Sequence, residues 1–210
     1  MERLPRGRHG LSSEYVARNQ RERLIAGLTE ALFEQGYDKT TLSVVSKRAA
    51  VSKSDFYKHF WSKDACFLAA YDDAVERLRK RVVASCAGRA DWARGVYAGL
   101  AASIAFLANE PARARLVLVE GLRGGLEVYD RFQLAVQSFV HLLRDGAPEM
   151  TAGGRPPAAI DEAVVGGIAS LLARRVLVYE TDGLEALLPE LAEFALTPYL
   201  GAVEARRIVS

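Results

Sequence analysis

The chain has 210 residues, half of them hydrophobic, with 28 Lys and Arg against 26 Asp and Glu. That is enough apolar material for one large or two small cores. No apolar run reaches the roughly 18 residues of a membrane span, and the basic N-terminus lacks the hydrophobic stretch of a signal peptide, so no membrane association and a cytoplasmic location are expected.

Charge is unevenly spread: residues 1–64 carry 12 Lys/Arg against 8 Asp/Glu, leaving 16 against 18 for residues 65–210. The basic excess lies where phosphate neutralisation would need it. Residues 1–18 hold Pro5, Gly7 and Gly10 and read as a flexible basic arm, with Arg3, Arg6 and Arg8 available to phosphates or a minor groove. A helix is expected over Asn19–Gln35. Thr40 or Thr41 then caps a two-turn helix with Leu42, Val45 and Ala49 on one side. It stops near Ala50-Val51, because Ser52-Lys53-Ser54-Asp55 matches a capping box: the Ser52 hydroxyl takes the Asp55 N–H and the Asp55 carboxylate reaches back. The second short helix turns Phe56 and Phe60 inward and leaves Lys53, Ser54, Asp55, Tyr57 and Lys58 outward. Two short helices about a tight turn make a helix-turn-helix, which buries too little to fold without the preceding helix as a third wall.

Arg23-Leu24-Ile25, Ala31-Leu32-Phe33, Gly36-Tyr37, Thr40-Thr41, Val51-Ser52-Lys53, Phe56-Tyr57-Lys58-His59-Phe60 and Ser62-Lys63-Asp64 together form a specific pattern. In these residues the chain resembles the TetR family of transcriptional regulators. The likeness covers the first third closely; the remainder matches only as a helical domain of the expected length. It implies a homodimeric repressor whose N-terminal domain binds operator DNA and whose C-terminal domain binds a small molecule that releases it. Three positions depart from the family pattern: Ala50 where Gly is frequent, Ser46 where Ala is usual, and Asp55 where a small or hydroxyl residue is more common. A left-handed backbone at Ala50 would cost about 1 kcal/mol.

On this reading Lys53, Ser54 and Asp55 head the recognition helix and face base edges, with Ser43 reaching from the helix before. Lysine suits guanine O6 or N7 and a carboxylate accepts from cytosine N4, although Asp55 is equally well explained as a cap. Tyr57, His59 and Lys63 are expected on phosphates, Lys63 aided by the amides of the helix it begins. Thr41 adds another contact, and Ser52 and Lys58 complete the DNA-facing set.

Ser62 caps a long helix through Phe67, Leu68, Tyr71, Val75, Leu78 and Val82 to about Ser85, a connector by its length. Cys66 and Cys86 on one helix lie about 30 Å apart, too far for a disulfide, and read as free thiols. Further helices are expected over Asp91–Ala108, Pro111–Glu120, Val128–Leu143 and Ala158–Tyr179, with a loop at Thr151–Pro157. Asp182, boxed by Glu185, caps the last, which Pro189 either kinks or starts. No alternating strand pattern occurs, so the fold is all-α: a three-helix DNA-binding domain over 19–64 and a helical effector-binding and dimerisation domain over 65–210.

Small residues suggest where a second copy would pack. Gly166, Gly167, Ser170, Ala173 and Arg174 form a face open to close approach, and Leu187, Leu191 and Phe194 from the last helix would complete a four-helix interface. Phe106, Val119, Phe132, Val136 and Phe139 could line an effector cavity with Tyr97, Ser103 or His141 as polar handles, or serve as plain core. The chain has no Gly-rich phosphate loop after a strand, no nucleophile elbow and no metal-ligand spacing, so an enzyme, a cofactor and a metal site are not expected. Two readings follow: a repressor released by a small, largely apolar effector, or a DNA-binding protein with no effector.

Overall fold

A computed structural model describes residues 12–89, 91–122, 126–147, 156–178 and 183–210, which form ten α-helices, two 3-10 turns and no strand. They belong to two units, which divide between Asp73 and Ala74, inside helix α4 (Lys63–Cys86). The expected boundary at residue 64 is the start of that helix rather than the edge of a unit.

In the N-terminal unit, α1 (Ser13–Lys39) is the longest element. It begins six residues earlier than Asn19, because the Ser12 hydroxyl caps it by accepting the Tyr15 N–H at 3.1 Å. Its first turns expose Ser13, Glu14, Tyr15, Ala17 and Arg18, so no apolar stripe marks them in the sequence. The expected arm therefore loses residues 13–18 to helix, while residues 1–11 lie outside the described residues. Leu24, Leu28 and Leu32 recur once per turn and are fully buried. Gly36 (φ 75°) then breaks the helix, and the Thr40 hydroxyl donates to the freed Gly36 carbonyl at 2.7 Å. Helix α2 (Leu42–Ala49) crosses α1 at Gly27, where a Cβ would stand 3.1 Å from the Ala49 nitrogen. Helix α3 (Lys53–His59) buries Phe56, and Phe60 follows it into the same core. The Ser62 hydroxyl caps α4 by accepting the Ala65 N–H at 3.0 Å, as expected from the sequence. Cys66 is fully buried, and burial pushes its thiol up to about 12.

In the C-terminal unit, the rest of α4 lies close to α5 (Trp92–Asn109): a Cβ on Gly99 would meet Cys86 Sγ at 3.0 Å and Val82 Cγ1 at 3.2 Å. Asp91 caps α5, accepting the Arg94 N–H at 3.0 Å. Helix α6 (Pro111–Leu118) ends before Glu120, which enters a 3-10 turn (Glu120–Leu122). Next come α7 (Leu126–Arg144) and α8 (Ala158–Leu177), each within two residues of expectation. Instead of one last helix there is a 3-10 turn (Leu184–Leu187), then α9 (Leu188–Leu200) with Pro189 in its first turn, and α10 (Ala202–Val209). Asp182 is outside the described residues. Pro189 marks the start of the helix, where its missing N–H leaves no bond unmade. Gly201 (φ 76°) separates the last two helices.

Helix α5 packs on α9, and α6 and α7 pack on α8. One buried node ties three of them together. Asp161 of α8 is 1% exposed, accepts from the Tyr199 hydroxyl of α9, and has Arg144 Nε of α7 2.9 Å from its other oxygen, close enough for an ion pair but not aligned for a hydrogen bond. The Trp92 ring lies tilted against that of Tyr199, centroids 4.9 Å apart, and its indole N–H donates to the Leu143 carbonyl at 2.8 Å. A second buried pair joins Arg115 to Glu120 at 3.2 Å.

Candidate DNA-binding surface

The turn between α2 and α3 is built from the backbone outward. Ala50 adopts the left-handed conformation (φ 48°, ψ 44°), its N–H donating to the Lys47 carbonyl at 3.2 Å and that of Val51 to Ser46 at 3.1 Å. This is a Schellman closure with alanine where glycine is usual, so the expected strain is present. It leaves the carbonyls of Ala49 and Ala50 pointing outward, and the Arg23 guanidinium takes both, Nε to Ala49 at 2.8 Å and Nη2 to Ala50 at 2.7 Å. Arg23 and Gly27 are one turn apart on α1, so the side chain that clamps the turn and the gap that admits α2 belong to one stripe.

Helix α3 is then held from its first residue. The Ser52 hydroxyl accepts the Asp55 N–H at 3.0 Å and donates to Asp55 Oδ2 at 2.8 Å, while Lys58 reaches Oδ1 at 2.7 Å. The forward half of the capping box is as expected; the return contact goes to the Ser52 hydroxyl rather than its backbone. Hydrogen bonds from Lys58 and Ser52 hold the Asp55 carboxyl below its usual range. Both Asp55 oxygens are thus engaged by neighbouring side chains, and the cap itself is the Ser52 hydroxyl. Lys53 and Ser54 are exposed and have no partner among the described residues; Ser43 and Tyr57 are exposed too. Thr41 caps α2, its hydroxyl 3.4 Å from the Val44 nitrogen.

Two residues expected on phosphates are half-buried and have partners within the protein. His59 is half-buried, with Nε2 3.0 Å from Gln20 Oε1, so that nitrogen carries the proton in the neutral ring. Burial holds its imidazole below the usual value, with Asp55 opposing and Arg21 and Lys58 adding. The Lys63 ammonium donates to the Tyr37 carbonyl at 3.1 Å and lies 3.7 Å from the centre of the Tyr37 ring. Tyr37 in turn donates to Asp64 and packs edge-on against Phe67. Lys63 therefore fastens the start of α4 to the end of α1.

Residues 24–70 match the sequence model of the family described as bacterial regulatory proteins, tetR family, a span holding most of α1, both short helices and the first two turns of α4. Over that span the chain is similar to the DNA-binding part of TetR-family transcriptional regulators. Its relatives among solved structures extend the likeness along the chain. The fatty acid degradation regulator FadR from Bacillus halodurans has a TM-score of 0.75 at 14% identity, covering 84% of this chain and 94% of that one. FadR from Bacillus subtilis, solved with stearoyl-CoA, has a TM-score of 0.72 at 15% identity, covering 86% and 98%. A regulator from Rhodococcus sp. Rha1 has a TM-score of 0.68 at 21% identity, covering 84% and 96%. These identities establish the TetR-type fold and nothing finer. No curated protein matches the sequence.

In the C-terminal unit the expected effector residues scatter. Phe106 and Val119 are buried core. Tyr97 and Ser103 are half-buried, and the Ser103 hydroxyl donates to Gly99 of its own helix at 2.9 Å. Phe132, Val136 and Phe139 share one half-buried face of α7. His141 is exposed, with Nδ1 2.6 Å from the Gln137 carbonyl one turn back, and so lines no interior site. Among the dimer candidates, Leu191 is 3% exposed and belongs to its own unit's core. Gly166 has open space where a Cβ would be, Ser170 and Arg174 are exposed, Ala173 and Leu187 are half-buried, and the Phe194 ring lies 3.5 Å from a Cβ built on Gly167. Exposed Leu171 and Val178 extend that face along α8.

Sequence reasoning gave no structural role to Arg23 or Gln20, and it passed over Trp61 entirely. Arg23 follows Glu22 and has Asn19 and Gln20 one turn back, so no local pattern marks it; its partners are 26 and 27 residues away. Among the described residues no group of three or more His, Cys, Asp or Glu could hold a metal ion, and no helix is long and apolar enough to cross a membrane.

Proposed function

We propose that this protein is a homodimeric repressor, acting in the cytoplasm, that leaves its operator when a small, largely apolar effector binds the C-terminal unit. The observation that carries the operator half is the exposed head of α3, where Lys53 and Ser54 stand without partners among the described residues on a helix capped by Ser52 and preceded by a turn that Arg23 clamps. Lys53 reads guanine O6 or N7, Ser43 and Ser54 flank it, and Thr41, Ser52, Tyr57 and Lys58 hold the sugar-phosphate backbone. His59 and Lys63 support this surface from inside. The face of α8 carrying Gly166, Ser170, Leu171 and Arg174, with Phe194 of α9, receives the same face of a second copy, and the two-fold axis pairs two half-sites.

The stearoyl-CoA held by the similar FadR of Bacillus subtilis makes a long-chain acyl-CoA the first effector class to test. An effector that binds the DNA-free arrangement more tightly than the DNA-bound one must obey reciprocity: a hundredfold loss of operator affinity is about 2.7 kcal/mol of coupling, and operator weakens effector binding by the same factor. The test is selection of an operator from random duplex DNA, followed by titration of stearoyl-CoA with and without saturating operator. Weaker effector binding in the presence of operator supports release; equal affinities, or no binding by this or other acyl chains, leave a DNA-binding protein with no effector of that class.

A further inference from the structure

Trp61 stands in the short connection between α3 and α4 and is 74% exposed, more than any other aromatic side chain among the described residues. The backbone explains its direction. Phe60 is extended (φ −142°, ψ 128°), so successive side chains point to opposite sides, and Phe60 goes inward, where its ring meets Phe56 and the Arg21 guanidinium lies 5.1 Å from its centre. Trp61 must go outward. Both neighbours are fixed: the Phe60 N–H donates to the Phe56 carbonyl at 2.9 Å, and Ser62 caps α4. The indole is thus presented on a short, held span of chain, with no hydrogen bond or ring contact among the described residues.

A single exposed aromatic is ordinary on a protein surface. Trp61 differs by continuity with a functional face. It follows Tyr57, itself 57% exposed, by four residues, and Tyr57 belongs to the outer side of α3 with Lys53, Ser54 and Lys58. Of the nearby carboxylates, Asp55 is paired with the Lys58 ammonium, which offsets its repulsion of a polyanion, and Asp64 accepts from the Tyr37 hydroxyl.

We propose that Trp61 is a DNA contact, its ring lying against the deoxyribose carbons beside the α3 site and its indole N–H donating to a phosphate oxygen. The proposal rests on α3 being the operator-reading helix. A neutral side chain on the backbone adds affinity to every sequence alike and displaces no condensed counterion, so its contribution does not depend on salt as a lysine's does.

The experiment compares the full-length wild type with Trp61→Ala, Trp61→Phe and Lys53→Ala on two duplexes: one selected by the protein from a random pool and one unselected, of equal length. Trp61→Ala is expected to weaken both by about tenfold, as the loss of one aromatic contact would, with the salt slope unchanged. Lys53→Ala is expected to weaken the selected duplex more than the unselected one and to lower the slope by about one. Tryptophan emission of the wild type should change on titration with the selected duplex, and that change should vanish in Trp61→Phe. If Lys53→Ala weakens binding while Trp61→Ala binds like the wild type, Trp61 is no contact and the proposal is overturned. If neither matters, α3 is not the reading helix and both fall. An altered oligomeric state in Trp61→Ala with unaltered DNA affinity would assign the indole to a protein neighbour instead.

Discussion

Tyrosines aside, the polar side chains buried in the N-terminal unit are neutral, namely Thr29, Thr40 and Ser46, whereas those buried in the C-terminal unit are charged, namely Arg115, Glu120 and Asp161, among the described residues. The N-terminal unit keeps its charges near the surface and points them at its own backbone: Arg23 at two carbonyls, Lys63 at a third. Such contacts set the geometry of a short exposed helix without paying the desolvation cost of a buried ion. In the C-terminal unit the buried Asp161 joins helices far apart in sequence, while Arg115 and Glu120 pair across five residues. Losing a partner there should undo the fold, whereas losing one in the N-terminal unit should chiefly misplace a helix.

The sharpest break of this contrast is Asp161→Ala, which leaves the Tyr199 hydroxyl without its acceptor and the partly exposed Arg144 without its ion partner. It should destabilise the protein by about 2–3 kcal/mol, read as a shift in urea unfolding. Tyr199→Phe removes one hydrogen bond only and should cost about 1 kcal/mol. If Asp161→Ala costs less than Tyr199→Phe, the buried charge is not holding the helices together.

Arg23→Gln comes next. It uncovers the carbonyls of Ala49 and Ala50 and should cost about 2 kcal/mol, with a loss of operator affinity measured where the protein is still fully folded. Ala50→Gly relaxes the left-handed turn and should return about 1 kcal/mol in both backgrounds. Greater recovery of operator affinity in the Arg23→Gln background than in the wild type would show that clamp and turn act on one geometry; equal recovery would separate them.

These first two tests also divide what was readable from what was not. Caps at Ser52 and Ser62 are contacts across three residues, visible from spacing alone. The Gln20 contact to His59 spans 39 residues and the Asp161 node is assembled from three helices, so neither leaves a local pattern. The early start of α1 escaped because its exposed turns carry no apolar stripe. Helix α10 escaped because the break at Gly201 is a backbone conformation rather than a change in hydrophobic spacing. Leu191 was misplaced since apolar spacing marks a buried face without saying which chain buries it. The outward placement of Lys53, Ser54 and Tyr57 was legible, while the contacts of Lys63 and His59 depend on where α1 lies.

Smaller effects sharpen the picture within the reading helix. Asp55→Ala should cost about 1 kcal/mol and leave the selected operator sequence unchanged, as a partner of the Ser52 cap would; a new base preference in a repeated selection would make Asp55 a reader. His59 supplies the pH dependence. Its folded pKa lies below the unfolded value of 6.5, so the unfolded chain binds more protons between the two, and stability falls as pH drops below 6.5 through that window. Thermal melts from pH 7.5 downward should show a shallower loss for His59→Gln than for the wild type. An identical slope would mean that burial does not disfavour the imidazolium.

Helix α4 runs from Lys63 to Cys86 with neither glycine nor proline, and the change from one unit to the other falls in its interior. A protease looking for an exposed, yielding linker finds none at that boundary, since cleavage requires several residues to unwind into an extended strand and these are locked in helical bonds. Nicking should therefore begin elsewhere. Gentle digestion ought not to release an intact DNA-binding fragment ending near Asp73, and a gene cut at that point would end its product in mid-helix, with the hydrogen-bonding carbonyls of the last turn bare.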